Sequence, residues 1–438
     1  MQDEFFSLAD ALTCELGTEE IFTCWFNGER SDFVRFNHGK VRQAGNVQQR
    51  HIDLRLIWDG RQATSTLALT GGADDLANAK MALADLRRVI YDLPRDPYLL
   101  FATEMYSSET KRRGTTAQPS IAVEQIIEQA DGLDLVGIYA AGPMFRGFAN
   151  SFGQRNWHEV ENFNFEWSLY YHADKAVKTS YAGFDWKLEK LRQRLQIASD
   201  QLAMLQRPPI TIAPGEYRTF LAPRAVDEII GALTWGGLSA KTRHTKQSPL
   251  IKMEQGSRLN DGITLRENTA AGTAPAFQRD GFNKPALVTL IDCGSLGDPL
   301  ITPRTAKEYG LTSNGANSSE SPESVELLGG QLDVTDAISA LDTGLYVNNL
   351  WYLNFSDRAA CRLTGMTRFA TFWVEHGKIV APVNVMRFDD TIYRMLGENL
   401  IDLTREQDFM LDASTYGSRS TQSATLPGAL ISGIKFTL

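Results

Sequence analysis

The chain has 438 residues, 43% hydrophobic and 22% charged, with a formal net charge of −9. That length exceeds one small core and sets two domains as the expectation. The acidic balance argues against a protein that coats nucleic acid, because such a protein needs a cationic face to displace counterions.

Phe5, Leu8, Ala9, Leu12 and Leu16 recur at helical spacing, with Gly17 closing a first helix. Three extended runs follow, Ile21 to Phe26, Asp32 to Val41 and Val47 to Trp58. They are separated by the hairpin-type signals Asn27-Gly28, Asn37-His38-Gly39 and Asp59-Gly60. Thr64 to Leu69 reads as a fourth strand of an antiparallel meander. Leu76, Ala79, Leu83, Leu86 and Ile90 define an amphipathic helix ended by Pro94. Ser107 to Ser120 reads as a loop, and its basic cluster Lys111-Arg112-Arg113 as a solvated one. A helix near Val123 to Ala130 leads into a strand from Leu133 to Tyr139. The odd positions Phe163, Phe165, Trp167, Leu169 and Tyr171 are apolar and the even ones mainly polar, which predicts a strand with one wet face. Leu188, Leu191, Leu195, Leu202 and Leu205 stripe a long helix that Pro208-Pro209 stops, and a domain boundary is expected there.

Pro214 to Leu238 then forms a strand–proline–helix unit. Tyr217 to Ala222 is a strand, Pro223 suits the start of a helix, and Ala225 to Trp235 is a mostly apolar helix ending at Gly236-Gly237. Asp227 and Glu228 place negative charge in its early turns, where the helix dipole favours it. Beyond it, short apolar runs predominate: Ala286 to Ile291, Ser324 to Leu328, Gly344 to Leu353, Ala370 to Val374, Ile379 to Val385 and Leu430 to Leu438. Thr312 to Ser324 reads as an exposed loop. The fold class expected is α+β: an N-terminal α/β domain (1–207) with an antiparallel sheet and helices, then a β-rich domain (208–438) built as a sheet or partial barrel.

The chemistry-bearing residues form no familiar constellation. Cys14, Cys24, Cys293 and Cys361 have no CxxC spacing and are too scattered for a disulfide framework. His158-Glu159 lacks the second histidine, one helical turn on, that a zinc-hydrolase helix requires; Asn162 and Phe163 stand there. His38, His51, His172, His244 and His376 are isolated. Ser295 has no nucleophile-elbow glycines, Lys241-Thr242 is not preceded by a phosphate-loop glycine, and Asp389-Asp390 reads as a solvated turn. The first residues carry no basic and apolar signal regions, and no apolar run approaches the ~18 residues of a membrane span, so a cytoplasmic protein is expected.

Two regions carry a resemblance. Gly344-Leu345-Tyr346-Val347-Asn348-Asn349, Thr364-Gly365-Met366, Phe372 to Ile379, Pro382-Val383 and Met395 to Leu400 resemble the TldD/PmbA family. Val34-Arg35-Phe36 and Lys40 to Gln43 resemble its early strand pair. The resemblance implies an α/β domain joined to a β-rich one, and dimers. It also implies two kinds of subunit: a TldD kind similar to a zinc peptidase, with an HExxxH helix and a cysteine near the C-terminus, and a TldE (PmbA) kind without them. The paired form is implied to cleave unfolded peptides, including leader segments of modified ones.

Matching the family's Ala-Pro pair to Ala222-Pro223 sets the two histidines at Gly231 and Gly236, the glutamate at Ala232 and the cysteine at Tyr416. Glycine and alanine cannot bind zinc or act as a base, so three protein ligands and an activated water cannot be assembled, which implies no catalytic residue and no metal in this chain. The expectation is a TldE-like pseudoenzyme, inactive alone, that pairs with a zinc-bearing TldD-like subunit and helps hold an extended peptide by strand addition. Zinc is expected in the partner, and neither nucleic acid nor membrane is expected to bind. Trp235, Asn348, Arg362 and Tyr416 are the candidate substrate contacts, each with a packing or surface role as the competing reading. The alternative is a non-enzymatic homodimer that presents the same cleft to a peptide or protein, in line with the "modulator of DNA gyrase" name attached to the family.

Overall fold

The computed structural model describes residues 1–172 and 175–437. Its first half is a seven-stranded sheet made of β1 (Ile21–Asn37), β2 (Lys40–Trp58), β3 (Arg61–Ala68), β4 (Ser108–Arg112), β5 (Asp134–Asn150), β6 (Arg155–His172) and β7 (Lys175–Gly183). The order is β3-β2-β1-β5-β6, with β4 and β7 both on the free edge of β6. All pairings are antiparallel except that of β4 with β6.

Four helices cover this sheet: α1 (Gln2–Thr13), α2 (Asp74–Ile90), α3 (Pro119–Gln129) and α4 (Leu188–Leu205). Phe5, Leu8, Leu12, Leu83 and Leu86 from the first two pack on Phe22, Cys24, Phe26, Ile52 and Leu54. Ile126, Leu191, Leu195 and Leu202 from the other two pack on Val34, Phe36, Phe163, Phe165 and Trp167.

Three expectations for this half are corrected. Asn27-Gly28 is not a turn, because β1 runs straight through it. The even residues on either side (Phe22, Cys24, Phe26, then Val34, Phe36) keep one parity and face one side, as only a continuous strand allows. Gly28 is there because the Phe26 ring lies over it, and a Cβ would come within 2.9 Å of that ring. The other two signals do turn hairpins, at His38-Gly39 and Asp59-Gly60, where both residues of each pair have positive φ. Ser107 to Ser120 is not all loop. It contains β4, and Arg112 is not merely solvated: its guanidinium lies 3.4 Å from the Phe184 ring centroid and donates to the Ala271 and Gly272 carbonyls. The first helix also stops at Thr13, four residues short of Gly17.

The second half begins with β8 (Gly215–Leu221) and α5 (Pro223–Thr234). It continues through β9 (Leu265–Glu267), β10 (Val288–Asp292), β11 (Ser295–Leu296), β12 (Ser324–Leu327), β13 (Gly344–Asp357), β14 (Arg362–Glu375), β15 (Lys378–Pro382), β16 (Arg387–Thr391), β17 (Leu400–Leu411) and β18 (Ser423–Phe436). These form an eleven-stranded sheet in the order β11-β10-β9-β12-β18-β16-β14-β13-β8. Pairing of β8 back onto β18 closes five of the strands into a ring, so the sheet is in part a barrel. The expected run Leu430 to Leu438 is the last part of β18, with Leu438 itself outside the described residues. With helices segregated from a mainly antiparallel first sheet and a mixed second one, the chain is α+β, as its sequence suggests.

Two surface assignments fail here. Asp389-Asp390 lies in β16, where Asp390 is buried and accepts from the Lys435 amide at 3.0 Å and from Arg394 Nε at 3.1 Å. Thr312 to Ser324 is irregular but not exposed throughout: Glu320 is buried with positive φ and accepts from the amides of Lys241 and Thr302 at 2.9 and 2.8 Å. Among the described residues no helix is long and apolar enough to cross a membrane.

Candidate functional site

Helix α5 lies where the two sheets meet, and its sequence gives it two unlike faces. Ala225, Val226, Ile229, Ile230, Ala232 and Leu233 are buried in the second core. Pro223 opens the helix with no need of an amide partner, and Gly236, at φ 87°, ends it. Arg224, Asp227, Glu228, Gly231 and Thr234 follow the i, i+3, i+4, i+7 spacing of the opposite face, and all line a groove of about 420 Å³.

The other walls come from both halves. Glu166 and Lys178 project from β6 and β7, Asn349 and Trp351 from β13, Phe369 from β14, and Asp412 follows β17. Glu166 joins the first sheet to α5 electrostatically: its Oε1 takes Lys178 Nζ at 2.8 Å and Arg224 Nη2 at 2.9 Å. Arg224 Nη1 also reaches Asp227 Oδ2 at 3.3 Å. Desolvation pushes the Asp227 carboxyl above the usual carboxylate range, against the pull of Arg224. Glu228 is raised too, first by burial and then by the neighbouring charge of Asp227. The groove therefore holds two cations, five carboxylates including Glu323 and Asp412, and buried amide acceptors such as the Asn349 Oδ1, which has no partner. This arrangement can grip the polar backbone of an extended chain, and it presents no nucleophile beside a base.

The residues singled out in the sequence do not converge there. Gly231 lines the groove with open space where a side chain would stand. Ala232 is turned into the core, 2% exposed, Gly236 lies past the helix end, and Tyr416 is fully exposed on the loop before β18. These four positions carry no donor set that fits a zinc ion. Among the described residues no group of three His, Cys, Asp or Glu side chains is disposed to hold a metal.

Trp235 caps α5 and is half exposed, with its carbonyl accepting from Arg358 at 2.6 Å. Asn348 donates to the Lys178 carbonyl at 3.1 Å, and Arg362 pairs with Asp389 at 3.1 Å. None of these, nor Tyr416, lines the groove; Asn349 and Trp351 do. The lining charges Glu166, Lys178 and Arg224 belong to no motif in the sequence. The spacing of Arg224, Asp227, Glu228 and Gly231 was a legible polar face, whereas the approach of β6 and β7 depends on long-range packing. His158, whose short motif invites a metal reading, is buried in β6 with Nε2 3.0 Å from the Thr273 carbonyl.

A family model described as the PmbA/TldA metallopeptidase C-terminal domain matches residues 214–438. Among solved structures, the chain is similar to TldE from Thermococcus kodakarensis, with a TM-score of 0.80 at 15% identity over 99% of this chain and 100% of that one. It is similar also to two proteins described as candidate modulators of DNA gyrase. The one from Thermotoga maritima MSB8 gives a TM-score of 0.78 at 13% identity over 100% of both chains. The one from Bacteroides thetaiotaomicron VPI-5482 gives 0.76 at 14% identity over 99% of this chain and 98% of that one. At such identities the likeness is one of fold. No curated protein matches the sequence.

Proposed function

The chain belongs to the PmbA/TldD metallopeptidase family, and from that membership we propose that it is the TldE-like, non-catalytic subunit of a cytoplasmic zinc peptidase acting on unfolded or modified peptides. Its partner is a TldD-like chain that carries the zinc. The observation that supports this most is α5 itself. The helix keeps its place at the junction of the two sheets and faces a groove, yet offers only hydrogen at Gly231 where the family's metal helix would present a ligand. Lys178, Arg224 and Asn349 remain to bind the main chain of an extended peptide, while hydrolysis is left to the partner.

Co-expression with a zinc-bearing family member tests the reading. The expected result is a heterodimer with one zinc per pair, peptidase activity in the pair and none in this chain alone. One bound zinc per chain in the isolated protein would sink the argument from missing ligands. A stable homodimer that never captures a zinc-bearing member would favour the non-enzymatic binding module.

A further inference from the structure

A second and larger cleft, of about 630 Å³, opens on the face of the first sheet that the helices leave bare. Trp25 and Asn27 of β1, Arg55 of β2 and Arg146 of β5 form its floor, with Asn27 directly opposite Arg146 in the register. Its far wall is the segment around Phe277 together with Lys241 and the buried Glu320.

Most of the charges in this cleft are matched. Arg55 pairs with Asp280 at 2.7 Å, Arg304 with Asp96 at 2.5 Å, and Lys284 with Glu323. Glu320 has both oxygens occupied by Ser239, Lys241 N and Thr302 N, so it neutralises no side chain there. Among the described residues two cations are left over. Arg146 is 8% exposed and has no carboxylate at ion-pair distance; its guanidinium donates to the carbonyls of Phe145 and Arg419. Lys241, at the rim, has none either. Arg55 Nη2 is buried with no acceptor at all. Burial brings the Arg146 pKa down to about 10, so it stays cationic at neutral pH. A buried guanidinium whose nearest carboxylates, Glu29 and Glu323, act on it only from beyond ion-pair distance is costly, and a bound anion would offset that cost. Beside these cations, Trp25 and Phe277 pack edge to face at 5.7 Å and give the cleft an apolar side.

We propose that this cleft is a separate ligand site that takes a peptide carboxylate, set against Arg146, Arg55 and Lys241, with the neighbouring apolar side chain on Trp25 and Phe277. Carboxylate suits the fork geometry of arginine, and the volume falls within the ~300–1,000 Å³ of ordinary ligand sites. The site needs no zinc-bearing partner, so it is testable on this chain alone and stands or falls apart from the pairing proposed above.

Titration calorimetry on the full chain, with Trp25 fluorescence alongside, decides it. The probes are an Ala-Ala-Phe peptide with a free C-terminus, its C-terminal amide, an acetylated amide with one internal glutamate, and inorganic phosphate. The free acid is expected to bind roughly ten- to a hundredfold tighter than the amide, the usual loss for a charged hydrogen bond. Arg146→Gln and Lys241→Ala should each weaken it by about tenfold or more. Lys241 is exposed, so its variant keeps the test valid should Arg146→Gln fail to fold. Binding of the glutamate amide as tightly as the acid supports the site and assigns it to acidic side chains; weaker binding supports it and assigns it to chain ends. Equal binding of acid and amide, indifference to both substitutions, or binding of phosphate but of neither acidic peptide would overturn the proposal.

Discussion

His158 shows how burial turns one side chain into a pH sensor of stability. Its surroundings desolvate the ring and bring its pKa down to about 4, while the Thr273 carbonyl, a weaker influence, pulls the other way. The unfolded chain binds a proton near pH 6.5, and the folded chain does so only near 4. Between those values the unfolded state holds the extra proton, so the His158 contribution is complete above about pH 6.5 and is lost as pH falls towards 4. From pH 7 to 5 that loss amounts to roughly 2 kcal/mol. In urea unfolding, His158→Gln should flatten the stability curve by about that amount over this interval. Parallel curves for the two proteins would mean that the ring titrates normally. The same residue marks a limit of motif reading: His-Glu suggests a metal, whereas His158 stands on the even-numbered, polar face of β6 and is buried because the segment around Thr273 packs over it.

At the level of the element, α5 makes opposite predictions for neighbouring positions. Gly231 is helical and faces open space, so Gly231→Ala should raise stability by about 0.5–1 kcal/mol through the unfolded chain. Gly236 has φ 87°, and a Cβ there would meet Arg358 Nη2 at 2.9 Å, so Gly236→Ala should lower stability by ~1 kcal/mol or more. Ala232→Glu would bury a carboxylate among Val226, Ile229 and Leu233 and should cost several kcal/mol, on the order of a lost buried ion pair. Thermal melts of the three variants check the ranking. Installing histidine, glutamate and histidine at these positions should therefore destabilise the chain without creating a zinc site. This strand–proline–helix unit was legible in the sequence to within two residues at either end, because proline, glycine and apolar spacing act locally. β1 was not, since Asn27-Gly28 is a strong local turn signal outweighed by pairing on both sides. β4, Ser-Glu-Thr-Lys-Arg, has no apolar alternation and exists through its parallel partner. The groove was half legible: its helix face is written in one segment, and its β6 and β7 wall is not.

For the whole molecule, the expected division at residue 207/208 runs through shared packing. Ala370 and Phe372 of β14 belong to the same core as the leucine stripe of α4, and Tyr346 and Ile379 pack against it. Arg194 of α4 pairs with Asp408 of β17 at 2.7 Å, and the buried Arg419 donates to the carbonyls of Gly142 and Asn162 across the junction. Residues 1–207 produced alone should thus bind hydrophobic dyes and aggregate, and should regain protection from proteolysis when co-expressed with 208–438. A monomeric, dye-silent 1–207 would show that the first half is independent.

β18 carries a consequence for synthesis. This strand, the last of its sheet in chain order, pairs with β12, β17, β16 and β8, and without it the ring of the barrel stays open. A ribosome moves from Leu221 to Ser423 in roughly 10–40 s at ordinary elongation rates. Throughout that interval the edge of β8 that awaits β18 has no strand to satisfy it. Such an edge on a nascent chain is open to chaperones and equally to unwanted strand addition from neighbouring chains.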